Sequence, residues 1–122
     1  MKHYFGTLFM GFLLAGLSLQ LSASTATRPQ VFAGEITDGF CAVNGSHTQM
    51  MNAMSSMGKD KESCTRQCIR LGTAYVLFNP LTRTVYHLDQ PAKAEPFAGH
   101  NVRIAGTLEN GTIKVTTIEA AN

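Results

Sequence analysis

Five stretches of the chain either alternate apolar and polar residues or stay apolar for the length of a β-strand. In the first stretch, Phe32 and Ile36 lie on one face and Glu35 and Thr37 on the other, as expected for a half-buried strand. The pattern predicts strands over residues 31–37, 74–78, 84–88, 102–108 and 112–118. The chain is therefore predicted to be mainly β.

The connections between these strands indicate how they are arranged. Asn110-Gly111 predicts a two-residue hairpin, because both central positions of that turn prefer positive φ. The alternation of the last strand breaks between Val115 and Ile118, which predicts a β-bulge. The proline-rich residues 89–99 are typical of a single helical turn that plugs a barrel. Five strands with such a plug predict a small OB-like barrel, and a small β-sandwich of the α+β class is the alternative architecture.

A polar segment with helical patterning, residues 38–72, separates the first two strands. Ser46 is the predicted cap of a helix that continues to Met57. Asp60 is the predicted cap of a second helix, which ends at Gly72. We call this two-helix segment the excursion, because it leaves the predicted barrel and then returns to it.

The first 26 residues have the layout of a secretory signal peptide. Lys2 provides a basic start, an apolar run continues to Leu21, and small residues follow up to Ala26. The run is close to the lower length limit for crossing a bilayer and contains several glycines, so a cleaved signal is favoured over a retained anchor. We expect export to the periplasm or the medium, one mature domain over residues 27–122, and no stable membrane insertion after cleavage.

The predicted mature chain is almost neutral. Of the ten Lys and Arg residues only Lys2 lies in the signal segment, and none of the eight Asp and Glu residues does, so the formal charge falls from +2 to +1. Nucleic-acid binding needs a basic face, and we expect no nucleic-acid partner. The chain also lacks a glycine-rich phosphate loop and a nucleophile with its base. The sequence leaves an enzymatic activity open but favours a non-enzymatic protein.

Three cysteines and one histidine fall within 28 residues: Cys41, His47, Cys64 and Cys68. Cys64 and Cys68 are four residues apart on the predicted second helix, so they share a face with Cβ atoms about 5–6 Å apart. A disulfide needs Cβ atoms about 3.8 Å apart. Three thiolates and one imidazole complete a closed tetrahedral set of the kind that structural zinc prefers. We therefore predict a Cys3His metal site.

The methionines of the first predicted helix make copper(I) a second choice of metal. Met50, Met54 and Met57 follow His47 at helical spacing. Thioether, imidazole and thiolate ligands together suit copper(I) better than zinc. The same spacing also fits the buried face of an amphipathic helix, because methionine fills irregular gaps in a core. The predicted cofactor is zinc or copper(I), and the role of the methionines stays open.

Two other interpretations compete with the metal site. In an oxidising compartment two of three cysteines usually pair, so Cys41 could be bonded to Cys64 or Cys68. The chain would then be a disulfide-stapled module that binds a protein or a small molecule without metal. A thiol-redox protein fits less well, because the C-x3-C spacing differs from the C-x-x-C of dithiol oxidoreductases.

The spacing of these residues also resembles that of a known group of proteins. Asp38 and Cys41 follow the first strand, His47 comes next, and Cys-Thr-Arg-Gln-Cys begins at Cys64 and ends at Cys68. This D-x-x-C…H…C-T-x-x-C pattern is similar to that of an uncharacterised family of small secreted bacterial proteins, a domain of unknown function. The resemblance implies export, a cysteine-centred site and an OB-like barrel, and it implies no particular activity.

Overall fold

A computed structural model describes residues 28–44 and 47–122 of the chain. The predicted signal peptide, residues 1–26, lies outside the described residues, as does the predicted helix cap Ser46. The strands are β1 (Gln30–Asp38), β2 (Tyr75–Asn79), β3 (Thr84–Leu88), β4 (Asn101–Glu109) and β5 (Thr112–Ala120). The helices are α1 (Gly39–Asn44), α2 (His47–Ala53) and α3 (Lys61–Arg70), with 3-10 helices at Ser55–Met57 and Pro91–Phe97. No helix in the described part of the chain is long and apolar enough to cross a bilayer.

The five strands form one mixed sheet, and each predicted strand lies within two residues of its observed bounds. Strand β1 pairs antiparallel with both β2 and β4, whereas β3 and β5 are parallel. The pairings close on themselves in the order β1-β2-β3-β5-β4. The prediction of a mainly β chain is confirmed, with the helices inserted between strands.

The predicted turn and bulge both lie between β4 and β5. Asn110 and Gly111 have φ values of 50° and 77°, as a two-residue hairpin turn requires. The register of the pairing shifts between Ala105 and Gly106, which leaves Thr116 as the extra residue of β5. A bulge increases the local twist of a strand, which helps β5 to pair with β4 and β3 at once.

The main core lies inside the closed sheet and contains apolar side chains from all five strands. The 3-10 helix Pro91–Phe97, in the segment predicted as a short plug, buries Ala94 in this core and packs Phe97 against it. The buried strand residues are Phe32, Ile36, Tyr75, Leu77, Leu88, Val102, Ile104, Ile113 and Val115. The cysteines do not contribute to this core, and they form a separate buried cluster within the excursion.

The excursion differs from the two predicted helices. Helix α1 (Gly39–Asn44) is additional, and its six residues are too few to show a helical period in the sequence. Helix α2 ends at Ala53 and not at the predicted Met57, because Met54 has an extended backbone (φ −138°, ψ 104°). Helix α3 is confirmed, and it begins at the predicted cap Asp60.

Candidate metal centre

Cys41 is positioned by the last residue of β1. The Oδ1 atom of Asp38 accepts hydrogen bonds from the backbone N–H groups of Phe40 at 3.0 Å and Cys41 at 2.9 Å. An aspartate bonded in this way to the next turn of backbone caps a helix and reverses the chain out of the strand. Asp38 is therefore the cap that precedes α1, and it fixes the position of Cys41 beside the sheet. The side chain of Cys41 is buried.

Helix α3 contributes two cysteines from its inner face. The Asp60 side chain accepts a hydrogen bond from the backbone N–H of Ser63 at 2.8 Å, which fixes the start of the helix. The four-residue spacing places Cys64 and Cys68 on the same side of the helix, and both are buried. Together with Cys41 they form one buried sulfur cluster.

The sulfur atoms of Cys41 and Cys64 are 3.9 Å apart. Two thiolates on one tetrahedral zinc ion, at about 2.3 Å each, lie about 3.8 Å from one another. Disulfide sulfurs lie about 2.05 Å apart, and all three cysteines of the chain are free thiols in the structure. The separation of this pair therefore suits two ligands of a shared ion.

His47 begins α2 and is only 9% exposed. Its Nε2 atom lies 2.6 Å from Oε1 of Glu35 and 3.2 Å from Oγ1 of Thr37, both on β1. Its Nδ1 atom is buried without a hydrogen-bond partner in the described part of the structure. A metal-bound histidine usually donates its other ring N–H to a carboxylate. Glu35 thus favours the tautomer of His47 that carries its proton on Nε2 and leaves the Nδ1 lone pair free. The ligand atoms of His47, Cys41 and Cys64 all lie within 4.8 Å of one another.

Glu35 is a charged group beneath the excursion. Burial opposes its ionisation, but the hydrogen bonds from His47 and Lys61 and the positive charge of Lys61 outweigh burial and lower the pKa of the carboxyl group. The Lys61 ammonium donates to Oε2 of Glu35 at 2.6 Å. The strand pattern places Glu35 and Thr37 on the polar face, yet both are buried because the excursion covers that face.

The thiols hold their protons in the absence of a metal ion. Burial, and next the negative charge of Asp38, raise the pKa of Cys41 far above its usual value and that of Cys68 to about 11. Burial likewise raises the pKa of Cys64. A reactive redox thiol needs a lowered pKa, so these surroundings disfavour a thiol-redox enzyme. A bound cation can take the place of the protons, because it stabilises the thiolates directly.

A second group of possible ligand atoms shares Cys41 with the first. The ligand atoms of Asp38, Cys41 and Cys68 also lie within 4.8 Å of one another. The structure thus groups His47 and Cys64 with Cys41 in one set, and Asp38 and Cys68 with Cys41 in the other. Sequence reasoning did not select Asp38 as a ligand. The signal that could have identified it is its place three residues before Cys41, where an aspartate commonly turns the backbone back toward itself.

The methionines surround the sulfur cluster unequally. Met57 is buried within it, and Met50 and Met51 pack against it. Met54 is 44% exposed, because its extended backbone turns the side chain away from the helical stripe. The predicted stripe therefore breaks at Met54, and the other methionines form an apolar wall around the thiols.

A cleft of about 390 Å³ lies beside Cys41 and His47. Lys61 lines the cleft from the excursion, and Phe78 and Pro80 line it from the end of β2. The cleft provides a path along which an ion or a small ligand can reach the buried ligand atoms.

Comparisons with protein-family models, with curated proteins and with solved structures find no significant match to this chain. What the site can do is therefore inferred from its own residues and their geometry.

The contact between Glu35 and His47 can be tested with the Glu35→Gln substitution. Glutamine keeps the shape of the side chain but removes the charge that holds the imidazole. We expect the metal affinity to fall by about 10–100-fold, as outer partners of metal ligands commonly show, in a competition titration against a chromophoric chelator. The matched control is Lys61→Met, which removes the exposed partner of Glu35 and should change the affinity much less. Equal affinities of Glu35→Gln and the unmodified protein would contradict the orienting role of Glu35.

Proposed function

We propose that this chain is an exported protein that binds zinc or copper(I) through Cys41, His47, Cys64 and Cys68. The observation that carries this proposal is the buried, unpartnered Nδ1 atom of His47, on a residue grouped with two thiols. A buried polar atom without a partner costs free energy, and an ion between the imidazole and the thiols removes that cost. Thiolate and imidazole are the donor types that zinc and copper(I) prefer.

The architecture proposed for this protein is an OB-type barrel. A closed order of β1-β2-β3-β5-β4 with parallel β3 and β5 supports this assignment. The excursion is then the connection between β1 and β2, one of the loops through which OB barrels bind their ligands. The sulfur cluster is formed by residues of that connection, at the ligand-binding end of such a barrel.

The proposed role is reversible metal binding, in which the bound ion exchanges with ions in the surroundings. The cleft reaches Cys41 and His47, so an ion held there is approachable from one side. A buried structural ion needs no such path. Export is proposed from the signal-like pattern of residues 1–26, and it would place the site where metal ions are acquired from outside the cell.

The proposal is tested by native mass spectrometry of the full chain, expressed with its own N-terminal segment and recovered from the periplasm or the medium. The expected spectrum shows a chain cleaved near residue 26 that carries at least one zinc or copper ion. After chelation and denaturation, all three cysteines should react with an alkylating reagent. A metal-free chain whose three thiols react without chelation would overturn the proposal.

A second candidate function is a disulfide-stapled binding module. It rests on the Cys41–Cys64 sulfur pair, which a modest side-chain movement from 3.9 Å would allow an oxidising compartment to join. Such a bond would tie α1 to α3 and close the excursion without metal. The same mass-spectrometry experiment distinguishes the two candidates, because a disulfide-stapled module has one reactive thiol, Cys68, and no bound metal.

A further inference from the structure

Asp38 lies in an unusual environment for a carboxylate. The residue is fully buried at the end of β1, with 0% of its surface exposed. Its Oδ1 atom caps α1, but its Oδ2 atom has no hydrogen-bond partner within the described residues. The Lys61 ammonium of α3 is paired with Glu35 and not with Asp38. A buried carboxylate oxygen in this position is costly unless a cation or a donor reaches it.

The ligand atoms around Asp38 are arranged as two sets of three. One set consists of Cys41, His47 and Cys64, and the other of Asp38, Cys41 and Cys68. These are the two groups of this kind in the described part of the structure, and Cys41 is the residue that they have in common. Each set contains one buried polar atom without a partner, Nδ1 of His47 in the first and Oδ2 of Asp38 in the second. A thiolate has several lone pairs and can bind two ions at once.

The charges of the cluster also favour two ions. Three thiolates and the Asp38 carboxylate together carry four negative charges. One divalent ion on the first set balances the thiolates of Cys41 and Cys64 and leaves the buried Asp38 carboxylate uncompensated, whereas two divalent ions balance all four charges. Buried charge without compensation is strongly unfavourable.

We propose that the cluster holds two zinc ions bridged by the Cys41 thiolate. The first ion is bound by Cys41, His47 and Cys64, and the second by Asp38, Cys41 and Cys68. The carboxylate makes the second position suited to zinc and poorly suited to copper(I), which prefers soft ligands. This inference rests on the proposed metal-binding function, and it redistributes the four predicted ligands by adding Asp38.

The test is a zinc titration of the reduced, chelator-treated protein under anaerobic conditions, followed by native mass spectrometry. The unmodified protein is expected to bind two zinc ions per chain. The Asp38→Asn variant is expected to bind one, because its amide oxygen can still accept the bonds that cap α1 but no longer provides an anionic ligand. The control is Asp60→Asn, the same change at the cap of α3 outside both sets, which should still bind two.

Each outcome has a distinct meaning. One zinc ion per unmodified chain overturns the two-ion inference and leaves the proposed function intact. No bound zinc on the unmodified chain overturns the two-ion inference, and if a parallel titration with copper(I) also gives no bound metal, the proposed function is overturned as well. Two zinc ions on Asp38→Asn would exclude Asp38 as a ligand and overturn the second position as described.

A second measurement covers the case in which Asp38→Asn does not fold. The unmodified protein is loaded with cadmium-113 in place of zinc and studied by NMR. Two cadmium resonances that are both coupled to the β-protons of Cys41 are expected, since one thiolate joins the two ions. A single resonance, or two without a shared cysteine, would contradict the bridge.

Discussion

Replacing Cys41 with serine is expected to abolish metal binding, because Cys41 belongs to both groups of ligand atoms. Serine has nearly the same size, but its hydroxyl group keeps its proton at neutral pH and is a poor ligand. Loss of an outer partner of a metal ligand costs about 10–100-fold in affinity, so loss of this shared ligand should cost at least ~1,000-fold. The measurement is a chelator competition with zinc, supported by native mass spectra of the metal-loaded protein.

The matched control for this substitution is Met57→Leu. Met57 is buried in the same sulfur cluster, and leucine conserves its volume while removing the thioether. Zinc affinity should stay close to that of the unmodified protein, whereas a loss confined to copper(I) would identify Met57 as a copper ligand. Urea unfolding of both variants with chelator present shows whether they fold without metal.

The outcome that would contradict the role of Cys41 is a zinc affinity of Cys41→Ser equal to that of the unmodified protein. The disulfide-stapled candidate has a different signature. In that case the substitution lowers the free energy of unfolding in oxidising buffer, has a smaller effect in reducing buffer, and leaves metal binding absent in both proteins.

The strands could be predicted because their signals are local. Alternation of apolar residues marks a strand whatever the rest of the chain does, and Asn110-Gly111 specifies its turn through backbone preference alone. The same is true of Asp60, whose side chain bonds to its own helix. The short α1 carries too few residues for a period, and the end of α2 at Ala53 has no strong stop signal in the sequence.

The site could be predicted only in part because its contacts join distant segments. The cysteines and His47 were selectable by residue type alone. The role of Glu35 depends on an excursion that begins after β1 and folds back over it, so strand alternation assigns this residue to the polar face. Asp38 looks like an ordinary strand end until Cys68 is brought beside it from α3. Local patterns identify donor types, and the closure of the fold decides which donors meet.

Metal binding is expected to release about three protons per chain at pH 7, one from each thiol, because metal binding requires the deprotonated ligand. Burial and the charge of Asp38 raise the pKa of the Cys41 thiol, and they raise that of Cys68 to about 11. Burial raises the pKa of Cys64 as well. All three thiols therefore carry protons across the neutral range when no metal is bound.

The sign of the pH dependence follows from this release. Raising the pH removes the competing protons, so the apparent metal affinity should rise by about tenfold per pH unit for each thiol, or about 1,000-fold for three. Affinity is correspondingly lost as the pH falls. Calorimetric titrations in buffers with different protonation enthalpies count the released protons, and Cys68→Ser should reduce the count by one. A release close to zero would mean that the thiols are already ionised or are not ligands, and either result would contradict the site as described.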